Sequence, residues 1–228
     1  MIDLATTSLS ASLREHCRGD WETLIGHPFV AELASGTLPL ERFRFYIEQD
    51  ILFLDSYARA IGFASGRASS HEELVELTAQ LAAVVQTEIE SERALLRRVE
   101  DLLGTDPALD AHVEPSATTV AYSSFLLATA ARGDALDVMT AMLPCAWSYA
   151  DIGRRYLHEA VEHPVYSDWL RLFGSGDYPA YVERRLASFD RFAARAAPAR
   201  HDRLVELFST ATRLERAFWD MAYKEETR

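Results

Sequence analysis

A thiol and a phenol share one face of a predicted helix that runs from Asp134 to Ala160. Apolar side chains recur along this segment at helical spacing, and Cys145 and Tyr149 are four residues apart, which places them on the same side. Pro144 lies inside the helix, where it removes a backbone hydrogen-bond donor and favours a kink. The two groups could form the floor of a pocket. The alternative is that Cys145 is a small buried hydrophobic residue, as most free cysteines are.

One carboxylate interrupts an otherwise aromatic helix face earlier in the chain. The row, with spacings of 3 and 4 residues, is Phe43, Tyr46, Asp50, Phe53 and Tyr57. A buried carboxylate is costly unless it is hydrogen-bonded or paired. Asp50 therefore has two possible roles. It either forms a structural hydrogen bond, to a tyrosine or as the cap of a neighbouring element, or it binds the donor groups of a ligand in an aromatic cleft.

A second carboxylate, Glu215, interrupts the apolar face of the last predicted helix. That face consists of Leu204, Leu207, Phe208, Ala211, Leu214, Phe218 and Trp219. Asp50, Cys145 and Glu215 are thus three polar residues in inward-facing rows of three different helices.

Metal and haem sites have little support in the sequence. Glu88 and Glu92 have the i, i+4 spacing of a di-iron helix, but no Glu-x-x-His partner motif occurs. We interpret Glu88, Glu90, Glu92 and Arg93 as a solvated face. His16 is the one attractive axial ligand for a haem, and a surface or cap role suits it better. HExxH, CxxC and glycine-rich phosphate loops are absent from the sequence.

Composition and charge narrow the class of protein further. A formal net charge of −12 argues against nucleic acid and anionic membranes as partners, and no apolar run is long enough for a membrane span. Two cysteines do not make a disulfide framework. Because the first residues also lack the pattern of a secretory signal, we expect a cytoplasmic protein.

Helical periodicity, caps and breakers predict an all-α bundle in one domain, residues 1–228. No alternating pattern indicates a strand, and helices of this length with short connections favour a bundle. The segment 104–117, rich in Gly, Pro and Asp, is predicted to be a loop. The predicted helices are 8–25, 29–34, 37–68, 69–103, 118–131, 134–160, 165–173, 178–196 and 201–223.

Five segments together resemble the TenA family, also called thiaminase II or aminopyrimidine aminohydrolase. They occur in the family's order and span most of the chain, and the C-x-W-x-Y-x-x-I-G and E-x-x-F-W runs are the most specific. The segments are FRFYIEQDILFLDSYARA, TTVAYSSF, LPCAWSYADIG, HPVYSDWLRLFG and LERAFWDMAY.

The resemblance implies a haem-oxygenase-like helical fold, a homotetramer, and neither metal nor other cofactor. It implies hydrolysis of thiamin, or of its breakdown product 4-amino-5-aminomethyl-2-methylpyrimidine, to 4-amino-5-hydroxymethyl-2-methylpyrimidine in thiamin salvage. Carried over by position, Cys145 is the nucleophile, Glu215 the acid and base, and Asp50 the group that holds the amidine edge of the pyrimidine. The implied pocket residues are Phe53, Tyr122, Tyr149, Phe173 and Phe218.

Two positions depart from the family pattern. Members often carry tyrosine where this chain has Phe53 and Phe173, so the rings are kept but their hydroxyl groups are lost. A shifted substrate preference is one consequence, and a non-catalytic pyrimidine-binding protein is an alternative. A metal-dependent oxidase of the same fold is the other alternative.

Overall fold

The computed structural model describes residues 8–105 and 113–225, and these residues form α-helices with no strand. The prediction of an all-α fold is therefore confirmed. Part of the predicted loop, residues 106–112, lies outside the described ranges. The helices are α1 (Leu9–His16), α2 (Arg18–Ile25), α3 (Pro28–Ala34), α4 (Leu40–Ser65), α5 (His71–Ala83), α6 (Ile89–Leu103), α7 (Ala117–Arg132), α8 (Ala135–Tyr156), α9 (Tyr166–Gly174), α10 (Asp177–Ala193) and α11 (His201–Lys224).

Two predicted helices differ from the structure at their ends or in the middle. The predicted helix 8–25 is divided into α1 and α2 at Cys17, whose φ of −97° and ψ of 15° leave the helical region. The helix that carries Cys145 ends at Tyr156 instead of Ala160, and Asp134 is its N-cap, with a side chain that accepts a hydrogen bond from the Asp137 amide. Pro144 lies within this helix without ending it.

The start of α5 follows the capping signature in the sequence. The Glu73 amide donates to the Ser70 hydroxyl at 3.1 Å, and the Glu73 carboxylate accepts from the Ser69 amide at 2.6 Å. These bonds satisfy amide groups that have no partner inside the helix.

The helix that the sequence predicts from 69 to 103 contains a π-helical segment, Val84–Glu88, between α5 and α6. A π turn adds one residue to the helical repeat and changes which side chains face inward after it. Periodicity predicts an inward row of Leu74, Leu77, Leu81, Val84, Val85 and Ile89, but Leu74 and Val85 are exposed, at 39% and 48%. Val85 lies in the π turn, where the register departs from regular helical periodicity, whereas Leu74 lies before it, near the start of α5.

The three longest helices, α4, α8 and α11, form the centre of the bundle and contact one another. A packed aromatic core joins them, with 5.1 Å between the ring centroids of Tyr46 and Trp219 and 5.4 Å between those of Tyr149 and Trp219. Each of these three helices carries one of the polar residues Asp50, Cys145 and Glu215. Within the described ranges, none of the helices combines the length and apolarity that crossing a membrane requires.

Helices α8 and α9 meet at two glycines. A Cβ atom placed on Gly174 would lie 2.6 Å from the Gly153 carbonyl oxygen, and one on Gly153 would overlap the Gly174 backbone. The absence of both side chains lets the two backbones touch. This contact fixes the position of Phe173, the residue before Gly174.

Candidate active site

Glu215, Tyr122 and Cys145 meet between α11, α7 and α8. The Tyr122 hydroxyl donates a 2.6 Å hydrogen bond to Glu215 Oε1. Burial raises the pKa of Glu215, while this bond and the neighbouring Cys145 thiol lower it, and the result is a pKa of about 7. Glu215 can therefore both give and take a proton near neutral pH.

The Cys145 thiol is protonated in the resting site. Burial raises its pKa well above the usual value, and the negative charges of Glu215, Glu88 and Asp50 raise it further. Only the Arg185 guanidinium acts in the opposite direction among the principal contributors. Formation of a thiolate therefore needs a nearby acceptor for the proton, and Glu215 is positioned as that acceptor.

Asp50 lies on α4 with 8% of its surface exposed. Its carboxyl group has no hydrogen bond or ion pair in the part of the chain that the structure describes. The structure therefore does not support the alternative in which Asp50 bonds a tyrosine or caps a neighbouring element. Burial raises the pKa of Asp50 well above its usual value, and the charges of Glu92, Glu88 and Glu215 add to the effect. Asp50 is thus an unpartnered carboxyl group whose surroundings favour its neutral form.

Phe53 and Phe218 form one aromatic wall beside Tyr122. The centroid of the Phe53 ring lies 4.5 Å from that of Tyr122 and 5.7 Å from that of Phe218. The structure thus brings these three predicted pocket residues together next to Glu215.

Tyr149 and Phe173 form a second aromatic group, with ring centroids 4.8 Å apart. The Tyr149 hydroxyl lies 3.0 Å from the Tyr46 hydroxyl on α4, one row position before Asp50. Burial raises the pKa of Tyr149 well above its usual value, and negative charge on Tyr46, Asp50, Glu215 or Cys145 raises it further.

Sequence reasoning missed two charged residues of this region. Arg185 on α10 is 5% exposed, donates from Nη2 to the Tyr57 hydroxyl at 3.0 Å, and leaves Nε without a partner. Glu92 is 2% exposed, so its interpretation as part of a solvated face was wrong, and Glu88 is half-buried. The interrupted apolar rows that revealed Asp50 and Glu215 have no counterpart at Glu92, because its neighbours Glu90 and Arg93 are charged and exposed.

The described residues contain no group of three or more His, Cys, Asp or Glu side chains placed to hold a metal ion. Among the described residues, Glu88 and Glu92 therefore have no third side chain with which to bind a metal ion. His16, the haem ligand considered from the sequence, is exposed at the end of α1.

Comparison with known proteins places the chain in a family. It is 34% identical over 220 residues to the aminopyrimidine aminohydrolase of Halalkalibacterium halodurans, covering 96% of each protein. A TenA homologue from P. horikoshii OT3 superimposes with a TM-score of 0.84 at 33% identity, covering 96% of this chain and 99% of the other. Haem oxygenase-1 from Synechocystis sp. PCC6803 superimposes with a TM-score of 0.58 at 12% identity over 96% and 94%, which confirms the haem-oxygenase-like fold. The TENA/THI-4/PQQC family model matches residues 14–225, and the chain belongs to that family.

Proposed function

We propose that this protein is an aminopyrimidine aminohydrolase, a hydrolase that exchanges an amine on the exocyclic methylene of an aminopyrimidine for a hydroxyl group. The substrates would be thiamin or 4-amino-5-aminomethyl-2-methylpyrimidine, and the product 4-amino-5-hydroxymethyl-2-methylpyrimidine. The observation that carries the proposal is the meeting of Cys145, Glu215 and Tyr122 beside an unpartnered Asp50 within aromatic walls. The name of the H. halodurans relative supports it.

Asp50 and the aromatic rings suit the binding of a flat aminopyrimidine. Phe53 and Phe218 offer ring surfaces on which the heterocycle can stack. An aminopyrimidine edge presents one N–H donor and one ring-nitrogen acceptor. A neutral carboxyl group matches both, because its O–H donates to the ring nitrogen and its C=O accepts from the amino group. Burial raises the pKa of Asp50, which favours that neutral form.

The proposed reaction begins with addition of Cys145 to the ring. Glu215 takes the thiol proton, and Sγ bonds to the ring carbon next to the one that bears the methylene. The ring nitrogen that gains electron density then takes the proton from Asp50. The electron pair of the ring moves toward the methylene and breaks its bond to the leaving nitrogen. The amine of the aminomethyl pyrimidine takes a proton from Glu215 as it departs, whereas the thiazolium of thiamin departs as a neutral thiazole and Glu215 loses its proton to solvent.

Water completes the proposed reaction on the same groups. Glu215, now deprotonated, takes a proton from water, and the hydroxide bonds to the methylene carbon. The Cys145 Sγ–carbon bond breaks, the thiolate recovers its proton, and Asp50 regains the proton it gave to the ring. Atoms and charges balance, and no redox change occurs.

Turnover of thiamin and of the aminomethyl pyrimidine by purified protein tests this function. We expect Cys145→Ala and Glu215→Gln each to lose nearly all activity, while Cys17→Ala, which removes a buried thiol near Ser209, retains it. Full turnover by Cys145→Ala would refute the cysteine mechanism. Tight pyrimidine binding without any turnover by the wild-type protein would instead identify a binding protein.

The oligomeric state and the cellular location of the protein are also part of the proposal. We propose a cytoplasmic homotetramer, as the family resemblance implies, and the free state of Cys17 and Cys145 fits a reducing compartment. Light scattering on the purified protein should then give a mass four times the 25.6 kDa of one chain. A monomer or dimer would contradict this part.

A further inference from the structure

A cavity lies beside the proposed active site, between the π-helical segment with α6 on one side and α9 with α10 on the other. Its volume is about 250 Å³. Phe173, Tyr178 and Tyr181 supply aromatic surface, and Glu88 and Glu92 supply carboxyl groups. Neither the proposed nucleophile nor the proposed acid and base lines it.

Glu92 is the unusual residue of this cavity. Its side chain is 2% exposed, and Oε2 has no hydrogen-bond partner. No ion pair to Glu92 or Glu88 is present in residues 8–105 and 113–225. Burial, with a further contribution from Glu88, raises the pKa of Glu92 to about 8. A buried carboxyl group without a partner is costly to folding, so a role in binding a ligand would account for it.

Phe173 joins the cavity to the proposed pyrimidine site. Its ring centroid lies 4.8 Å from that of Tyr149 on one side and 4.8 Å from that of Tyr178 on the other. The Tyr178 hydroxyl donates to the carbonyl oxygen of Ala146, the neighbour of Cys145 in the chain, at 3.3 Å. Phe173 is therefore the wall shared by the two sites. Glu88 and Tyr178 of the cavity interact electrostatically with Cys145, the residue next to which a group on the methylene would leave.

The cavity has the chemistry of a site for a cation. Its buried end combines carboxyl groups with tyrosine rings, and both attract positive charge. The charged residues at its exposed end, Asp177 and Arg184, are of opposite sign and balance each other.

Glu92 is largely protonated at neutral pH in the free protein, and a cation bound beside it favours its charged form, so that binding releases a proton. The Arg185 guanidinium lies 5.6 Å from the Tyr181 ring centroid and donates to Tyr57. It also acts on Glu88, which leaves Glu92 without a cationic partner among the described residues.

We infer that this cavity binds the positively charged leaving group of the substrate, a cationic heterocycle such as the thiazolium of thiamin, with Glu92 as its counter-ion. The inference rests on the proposed function and assigns its substrate specificity. Glu92 contacts a part of the substrate that does not react. Its effect should therefore be on KM, with little effect on kcat.

The test compares a charged and a neutral substrate in Glu92→Gln. Thiamin carries a permanent positive charge, whereas the leaving group of 4-amino-5-formylaminomethyl-2-methylpyrimidine is neutral. We expect the variant to raise KM for thiamin about tenfold or more, as for loss of one charged contact. The kcat for thiamin, and both kcat and KM for the neutral substrate, should stay the same. Glu90→Gln, the matched control on the same helix, removes an exposed carboxylate paired with Arg93 and should change the kinetic constants of neither substrate.

An equal change for both substrates, or no change for thiamin, would overturn the inference. Titration calorimetry in a Cys145→Ala background separates binding from chemistry, with thiamin and the neutral hydroxymethyl pyrimidine as probes. Glu92→Gln should weaken the binding of thiamin and leave the binding of the hydroxymethyl pyrimidine unchanged. Unchanged thiamin binding by a variant that circular dichroism shows to be folded would overturn the inference. Absence of turnover by the wild-type protein would refute the proposed function and leave the calorimetric comparison valid.

Discussion

The Glu215 carboxyl group is the point at which opposing electrostatic effects meet. Burial favours its neutral form, whereas Tyr122 and Cys145 favour its charged form. A pKa of about 7 lets one carboxyl group accept a proton from a thiol or water and return it to a leaving amine. The Tyr122 bond is the larger of the two opposing effects and can be removed without changing ring packing.

Tyr122→Phe should shift the pH profile of the reaction to higher pH. Loss of the hydrogen bond removes stabilisation of the Glu215 carboxylate, so the pKa of Glu215 should rise above its present value of about 7. The limb of the kcat/KM profile that reports Glu215 should move with it. Tyr166→Phe, a control that loses a buried bond to the Leu38 carbonyl away from the site, should leave the profile in place.

Asp50→Asn should cost the enzyme activity and not stability. The amide can still donate to the ring nitrogen and accept from the amino group, but it cannot transfer a proton to that nitrogen. We therefore expect kcat/KM to fall about tenfold or more. The melting temperature should stay the same or rise, because the carboxyl group is buried without a partner. A variant that unfolds while keeping its activity would show that Asp50 is structural.

Some site residues could be predicted from the sequence and others could not. Asp50 and Glu215 were found because each interrupts an inward-facing apolar or aromatic row, and the structure buries both. Glu92 lies among charged neighbours, so no periodicity separates it from a solvated face. Its burial comes from packing against other helices after a π turn, which the local sequence does not encode in a recognisable way.

At the level of elements, the Gly153–Gly174 contact determines how α9 lies on α8. Gly153→Ala would push Cβ into backbone atoms that cannot rotate away. We expect a loss of about 1–3 kcal/mol in the free energy of unfolding, with lower activity because Phe173 and Tyr149 would separate. Urea unfolding measures the first effect and the turnover assay the second.

Gly62→Ala is the matched control for that prediction. Gly62 also lies in a long helix, α4, but a Cβ atom there meets nothing within 4 Å. The substitution should raise the free energy of unfolding by about 0.5–1 kcal/mol, since alanine favours a helix over glycine. If both substitutions had the same effect, close packing of α8 and α9 would not be important.

Element boundaries were less predictable than element types. The helix starts predicted at residues 29, 69 and 165 lie close to the observed ones, because the Ser70 cap and the prolines Pro28 and Pro164 act locally. The division at Cys17 was not, since neither proline nor glycine occupies that position and only the packed structure separates α1 from α2. The resemblance to relatives supplied the three-dimensional arrangement that periodicity alone does not give.

For the whole molecule, buried acids should make stability depend on pH. The pKa values of Glu215 and Glu92 are about 7 and about 8 in the folded protein, above the usual 4.5, and the pKa of Asp50 is also raised. The folded state therefore holds protons that the unfolded chain has released. Stability from these groups is fully present below about pH 4.5 and is lost as the pH rises to about 8.

Glu92→Gln should make the free energy of unfolding fall less steeply with rising pH, because the variant lacks one of the titrating groups. Urea unfolding at about pH 5 and about pH 8 measures the difference. Burial lowers the pKa of His27 and His163, which has the opposite effect at low pH, but both histidines are present in the two proteins and cancel in the comparison. Equal slopes for the wild-type protein and the variant would show that Glu92 is charged in the folded state.

The π turn at Val84–Glu88 has a consequence for divergence within the family. Removal of one residue there, such as the exposed Val85, would restore regular helical hydrogen bonding and keep the helix whole. Because the π turn takes up one extra residue within a single turn of helix, the deletion should leave Glu92 on the same face of α6. A homologous gene can therefore gain or lose this codon while the residue at the position of Glu92 still faces the cavity.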